Sequence, residues 1–496
     1  MLSRQTKLQL SSYSTIYDVV VPKTHKLRIL KDKIDFNFVR EEVEKKYNVK
    51  MGRAAEDPVR MFKYLFLKCL YGMSDRGLIE RCMSDMAFKY FLDLAPEDPV
   101  IDPSLLSVFR RQRLADSNLL DFLITKSVAL AVDLGVIKSR TLIVDATHTC
   151  STYNPFAPVE ILQLRSRKLR ASIYDNTKEP DTYRKMFPEK PSGKNLEAEM
   201  AYSRELISII REKKIMSDIP IVVENVNLLE ETIEDIEDHF TTSVKDNDAR
   251  VGHKSEDSFF GYKTEIMTTP ELIITAANIT TGEKADGKEL RTLVQKSKNN
   301  LGATEEDKKV DDVLGDGAYG GDNNLKLAKE EKFTLYARPN PMLYKSNENK
   351  DDGFELNKDA GMYTCPAGHL AVGKSIIRYK KKGKGNDRLQ FRFDPDKCEC
   401  CKLKDICLKQ GSKTRYYSIP IKTPEQEEQM KFCKTPEFRE RIKERFKVEQ
   451  VNAILKNVYG YRKTLSYGIY SMKIQGAMTI FAYNLMRILK LTRKNG

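Results

Sequence analysis

The chain has 496 residues, 40% hydrophobic and 31% charged, and its 85 Lys and Arg against 71 Asp and Glu leave a formal charge of +14. That length accommodates about three or four structural units, and the composition excludes a disordered polyelectrolyte. The positive excess points to a polyanionic partner, either nucleic acid or an anionic membrane surface, and is silent on fold.

No apolar run approaches the roughly 20 residues that span a bilayer, which weakens the membrane alternative. The most apolar stretch, Gly476 to Leu491, is interrupted by Asn484, Arg487 and Lys490 and reads as an amphipathic helix. The first residues, MLSRQTKLQL, lack the apolar core and cleavage site of a signal peptide, so a cytoplasmic location is expected. Disulfides are rare there, and the nine cysteines need another explanation where they cluster. Trp is absent, leaving base stacking to 23 Tyr and 21 Phe.

Residues 1–137 read as helical. Asp57–Pro58 starts a helix to Tyr71 with Val59, Met61, Phe62, Leu65, Phe66 and Leu70 at helical spacing. Further helices are expected over Asp75–Cys82 and Asp85–Leu94, after Asp102–Pro103–Ser104, and from Ser117. Arg110, Arg111 and Arg113 form a basic cluster, either a solvated face or a group entering a DNA major groove.

Residues 138–344 change character. Thr141 to Asp145 (TLIVD) is a short β run, 155–240 is helical and polar, and Gly261–Thr268 and Leu272–Ile279 are two adjacent strands. A helix is expected over Gly287–Gln295, then a strand and Gly-rich turn in KVDDVLGDGAYGG, a short helix near Asn323–Glu331 and a strand at Thr334–Ala337. This alternation predicts an α/β domain with some parallel pairing, within a chain that is α+β overall.

Residues 345–425 hold no good helix. Between Cys365 and Ser418 there are 14 Lys and Arg against 5 Asp and Glu, so most of the net charge sits here. The helical pattern returns in 426–496.

Ionised Asp at the end of a buried β run is rare unless paired or metal-bound. Asp145 closes TLIVD and Asp316 follows KVDDVLG, so one sheet could present both carboxylates at the same edge, where open α/β sheets place ligands. Capping and turn roles are the plain alternatives. Over 438–460 a helix is expected to project Arg445, Glu449 and Lys456 from one face, as spacings of four and seven residues allow; a solvated ion ladder is the alternative.

The LIVDAT, DGAYGG and R-x3-E-x6-K patterns, in this order, resemble the signature of DDE transposases from bacterial insertion sequences. The branch with a helical N-terminal domain and a cysteine-bearing insertion is the most similar. DPVRMFKYLFLKCLYGMSDRGLIERCMSDMAFKYFL with SLLSVFRRQRL resembles that branch's N-terminal domain, and AYNLMRILKL its last helix. DNDARVGHKSEDSFFGYKTEI resembles part of its core, including Asp248, Arg250, Lys254 and Gly261–Tyr262–Lys263. The resemblance spans nearly the whole chain. It implies an RNase H-like catalytic core, a mixed sheet with helices on both sides, with an all-helical N-terminal domain and a cysteine-rich β/loop insertion.

It also implies that Asp145, Asp316 and Glu449 are the catalytic triad, with Arg445 and Lys456 as basic partners free to hold phosphates. Ile442 stands where the family often has Tyr. Three converging carboxylates repel, and two Mg²⁺ ions (Mn²⁺ may substitute) remove that conflict. Such ions activate an attacking oxygen and stabilise a leaving one, with water and then a 3′-hydroxyl as nucleophile. The implied partner is double-stranded DNA, both transposon end and target, and synapsis implies a homodimer or larger assembly. A nuclease without strand transfer and an inactive DNA-binding protein are the alternative functions.

Cys365, Cys398, Cys401 and Cys407 suit a structural Zn²⁺ site, with Cys400 off register and His369 the leading alternative ligand. Unrelated reduced thiols are the other explanation. Cys69, Cys82, Cys150 and Cys433 read as core or incidental residues. Lys380, Lys381, Lys382 and Lys384 form a loop that would contact phosphates without reading sequence, or a solvated loop.

Overall fold

In a computed structural model, the structure describes residues 11–47, 55–114, 118–153, 157–191, 193, 195–237, 246–254, 257–302, 310–339, 353–357, 359–378, 386–408 and 411–494. Lys380, Lys381, Lys382 and Lys384 lie outside these residues, as does the expected start at Ser117.

The principal sheet has six strands: β1 (Thr141–Cys150), β2 (Arg250–Lys254), β3 (Asp257–Thr268), β4 (Ile274–Thr281), β5 (Asp312–Leu314) and β6 (Thr334–Tyr336). β3 pairs antiparallel with β1 along one edge and with β2 and β4 along the other. β1, β5 and β6 pair in parallel. β3 is therefore the one reversed strand among β4, β3, β1, β5 and β6.

Alternation along the strands explains why helices cover both faces. Leu142, Val144, Met267, Val313 and Leu335 point into a core shared with the helices Leu290–Leu301 and Asp322–Glu331. Ile143, Ile266, Leu314 and Tyr336 point the other way, into the largest core. That core also contains the C-terminal helix Ile469–Lys494 and the N-terminal helices, where Phe36, Phe38, Phe62 and Phe66 all meet Phe481. The helices before residue 137 are thus built onto the last helix and one face of the sheet.

Local signals act as expected at several helix ends. Asp57 caps Pro58–Tyr71 by accepting from the amides of Val59 and Arg60, and Gly72 closes it in the left-handed conformation. Asp102 caps Pro103–Phe109, which continues as a π-helical turn over Arg110–Leu114. The residue 155–240 region forms four helices, Pro158–Asp175, Pro180–Met186, Leu196–Glu212 and Pro220–Glu237, around their own apolar core.

Two expectations are corrected. The C-terminal helix is not amphipathic at Asn484, which is fully buried. Its amide accepts from Ile274 N–H at 2.9 Å and donates to Ile274 C=O at 2.8 Å and Ser127 Oγ at 3.0 Å, satisfying the backbone where β4 begins. The expected continuous helix over 438–460 is broken into Pro436–Arg441, a 3₁₀ stretch Ile442–Arg445, and Phe446–Asn457. The break falls where Arg441 is held by Asp312 at 2.8 Å and by Thr141 and Glu444.

Within 345–425 the described residues form a two-stranded sheet, β7 (Glu355–Asn357) with β8 (Met362–Thr364), and a three-stranded one from β9 (Gly373–Ile377), β10 (Arg388–Arg392) and β11 (Tyr416–Pro420). Their fully buried apolar core is only Tyr363, Ala371, Phe391 and Phe393, the size at which small units rely on a staple.

Candidate active site

The site begins with strand register. β1 and β5 align Thr141 with Asp312, Leu142 with Val313 and Ile143 with Leu314. Two residues further along each strand stand Asp145 and Asp316. Continued past the last paired residues, this register brings Asp316, two residues beyond the end of β5, toward the level of Asp145 on β1. Asp145 is within β1 and its side chain is 17% exposed. Asp316 lies just beyond β5, where its Oδ1 accepts from Ala318 N–H at 2.9 Å and caps the 3₁₀ turn Gly317–Tyr319. The turn cap and the placement beside Asp145 coexist in one residue.

The Gly-rich sequence after Asp316 has a steric reason. A Cβ on Gly320 would fall 2.1 Å from the carbonyl oxygen of Arg338, so only glycine lets the loop pass beside the end of β6. Tyr319 is fully buried beneath it. Burial, and then the negative charges of Glu265, Asp145, Asp286 and Asp316, raise its phenol pKa well above the ordinary value.

The third element is laid along β1 by side chains from both of its parts. Arg441 ties it to the start of β1 and β5 through Thr141 and Asp312. Further on, Asn452 Nδ2 donates to Asp145 Oδ2 at 2.9 Å. Val448, Val451 and Leu455 are completely buried against this face. Glu449, three residues before Asn452, consequently stands on the side of the helix nearest Asp145. Its side chain is 53% exposed and accepts from Arg445, whose guanidinium also lies 3.9 Å from Asp145. One cation thus bridges two of the expected carboxylates. Lys456 is half-buried, one turn beyond Asn452.

Among the described residues, no three His, Cys, Asp or Glu side chains stand close enough together to hold a metal ion. Asp145 and Asp316 carry the carboxylate oxygens that hard divalent cations prefer. Glu449 is held instead in its ion pair with Arg445.

Sequence reasoning missed a buried carboxyl on the opposite face. Glu265 of β3 is opposite Ala146, and its Oε1 accepts from Gly287 N–H at 2.9 Å. Gly287 C=O in turn accepts from Asn324 Nδ2 at 2.9 Å, and the same amide reaches Tyr319 C=O at 3.0 Å. Burial pushes the Glu265 pKa up to about 7, with Asp286 and Glu289 adding and the Gly287 amide and Lys263 opposing. Lys263 pairs with Asp286 at 2.7 Å and donates to Lys284 C=O at 2.6 Å. The only sequence signal was a charged residue inside the GYKTEI strand.

The DNDAR run proves to be a junction. Fully buried Asp246 accepts from Gly468 N–H at 3.0 Å, Ser151 Oγ at 2.5 Å and the Tyr262 hydroxyl, while Asp248 accepts from Ile469 N–H at 2.7 Å. Arg250 Nη2 donates to both carboxylate oxygens of Asp235 at 2.9 Å, tying the helical insertion to β2. Lys254 closes β2.

The expected DNA contacts fare unequally. Arg110 forms a bidentate pair with Asp75 at 2.9 and 2.6 Å, and Arg113 donates to Lys46 C=O at 2.6 Å over the Tyr47 ring. These two half-buried guanidiniums already have partners within the protein, and Arg111 is exposed.

Cys365, Cys398, Cys401, Cys407 and His369 line one cavity, and Cys400 is exposed beside it. Burial raises the Cys407 pKa; Arg415 opposes this, and Cys365, Cys398 and Cys401 add to it. Among the described residues, these donors share a cavity without any three of them being grouped closely enough to hold a metal ion. Cys69 and Cys82 are core residues, with burial pushing their thiols up to about 11 and about 12. Cys150 and Cys433 are partly exposed.

Two family models match the chain. One, described as a transposase domain (DUF772), covers residues 15–112, and the other, described as a transposase DDE domain, covers residues 364–489. The second contains Arg445, Glu449, Asn452 and Lys456 together with the cysteines from Cys365 onward; Asp145 and Asp316 fall outside both. No curated protein matches the chain.

Proposed function

Because this chain belongs to the DDE transposases of insertion-sequence type, we propose that it cleaves the ends of an insertion sequence and joins them to target DNA, with Asp145, Asp316 and Glu449 as its catalytic carboxylates. What supports this reading is the parallel register of β1 and β5, which carries Asp145 and, just past the end of β5, Asp316 toward the same edge of the sheet, together with the hydrogen bond from Asn452 of the Glu449 helix to Asp145. A sheet in which β3 alone is reversed supports an RNase H-like core.

Transposases of this kind generally use divalent cations such as Mg²⁺, and Asp145 and Asp316 would hold them, with Glu449 joining once released from Arg445. Bound there, such cations would activate the attacking oxygen and stabilise the leaving one. The protein's own groups do the positioning. Asn452 fixes the orientation of Asp145, the 3₁₀ turn fixes Asp316, and Arg445 holds Asp145 and Glu449 near each other against their mutual repulsion. Freed from Glu449, Arg445 would contact a DNA phosphate together with Lys456.

In the cysteine cavity the donor types suit a structural Zn²⁺ held by Cys365, Cys398, Cys401 and Cys407, once the side chains converge on it. It would supply the staple that the four-residue apolar core lacks. The task of synapsing two ends supports a dimer or larger assembly.

A joining assay tests the reading. Purified protein, duplex end DNA taken from the sequence flanking its gene, and Mg²⁺ are expected to give both cut ends and, from a pre-cleaved end, strand-transfer product. Cutting without joining would make the protein a nuclease, and footprinting without cutting would make it a DNA-binding protein only.

A further inference from the structure

The helical insertion carries a charge arrangement that the reaction above does not use. On the helix Pro158–Asp175, Arg167, Arg170 and Tyr174 follow at intervals of three and four residues and share a face. Arg184 of the short helix Pro180–Met186 and Lys190 beyond it close over that face. With Glu189 these residues line one cleft, in which four cations meet a single carboxylate.

The cations are kept together by the fold. The Arg184 guanidinium stands 5.2 Å from the Tyr174 ring centre, and Arg170 lies 5.7 Å from that of Tyr202 while donating to Ser166 C=O at 3.3 Å. The Arg184–Asp181 pair is 60% and 80% exposed, so solvent screens it. Arg170, and then burial and Arg167, depress the Lys190 pKa, with Glu199 opposing. Like charges held in this way cost free energy until an anion supplies the counter-charge. Other arginines of the same bundle are neutralised, Arg204 by Glu237 and Arg211 by Glu230 at 2.6 Å.

The bundle is entered from the C-terminal end of β1, the strand of Asp145, and is tied back to the core by Arg250–Asp235 and Arg165–Asn247. We propose that the cleft formed by Arg167, Arg170, Arg184 and Lys190 is a phosphate-binding site through which the helical insertion grips the backbone of double-stranded DNA. The choice of DNA as the polyanion rests on the transposase reading. Guanidinium forks match phosphate oxygens bidentately, and contacts of this kind position a duplex without reading its sequence.

The experiment is a salt titration of duplex binding by the full chain. R167A/R170A/K190A is compared with K168A/R204A/R211A, an equal loss of charge from residues that do not line the cleft. Each phosphate contact contributes roughly 0.9 to the slope of log affinity against log salt, so the cleft variant is expected to lose about 2–3 from that slope and about 10-fold or more in affinity. A scrambled duplex is expected to show the same loss, and the control variant little of it. The length-preserving R167Q/R170Q/K190Q variant, checked for wild-type melting, separates binding from folding. Equal slopes for cleft and control variants would overturn the proposal. So would a cleft variant that binds DNA normally but no longer binds phosphatidylserine–phosphatidylcholine vesicles. Cleavage of end DNA by the wild type is scored separately from duplex binding, so failure of the transposase reading and failure of the cleft give different results.

Discussion

Asn452 and Asp145, 307 positions apart in sequence, are joined by a 2.9 Å hydrogen bond from the amide nitrogen to Oδ2. Together with the buried Val448, Val451 and Leu455, this contact seats the Phe446–Asn457 helix against β1. Groups that orient a ligating side chain typically contribute 10–100-fold to affinity or activity. N452A is therefore expected to lower the single-turnover cleavage rate by about 10–100-fold while leaving duplex affinity unchanged. An unchanged rate would remove Asn452 from the positioning of Asp145.

Glu265 gives a stability prediction with a definite sign. Its folded-state pKa of about 7 lies above the ordinary 4.5, so the folded chain binds a proton more tightly than the unfolded one. The corresponding stabilisation is fully present below about pH 4.5 and is lost as pH rises through about 7. E265Q keeps the shape and the acceptor for Gly287 N–H without the ionisation. Denaturant unfolding is expected to show the wild type losing on the order of 2–3 kcal/mol between the two ends of that window relative to E265Q. Parallel pH profiles for the two proteins would contradict the assignment.

Much of this architecture is legible in the sequence where a local signal is decisive. Asp57–Pro58 and Asp102–Pro103 mark real helix starts, and TLIVD and KVDDVL mark real strands. β1 runs five residues past Asp145 because Ala146 to Cys150 pair with β3; its alternating Thr147 and Thr149 are buried, but their polarity hides the pattern. Asn484 reads as a polar break in an apolar helix, since nothing in the chain beside it announces that a strand 210 positions earlier needs its amide. Glu265 and Arg441 were invisible for the same reason, their partners being remote in sequence. Conversely, Arg110 and Arg113 look like a free basic patch only until Asp75 and Lys46 are brought against them.

That buried amide makes Asn484 a sharp test of the packing between the last helix and the sheet. N484A leaves the N–H and C=O of Ile274 without partners in a dry core, a loss of about 2–4 kcal/mol. Urea denaturation is the check; a midpoint within error of wild type would mean that the helix does not seat on β4 in this register.

For the cysteine cavity, metal analysis of protein purified without chelator is expected to return zinc, and C398S/C401S to lose it. The variant is also expected to show faster proteolysis within residues 353–420, because the small apolar core there loses its staple. Zinc-free wild type from metal-replete cells would dispose of the proposal.

The central claim is that Asp145 of β1 and Asp316, just past the end of β5, perform the chemistry with Glu449. Its most direct test is single-turnover cleavage of end DNA in Mg²⁺ by purified D316N, with duplex affinity and melting measured on the same sample. D316N is expected to fold and bind like wild type and to cut no end DNA; cleavage at the wild-type rate by the well-folded variant would contradict the claim.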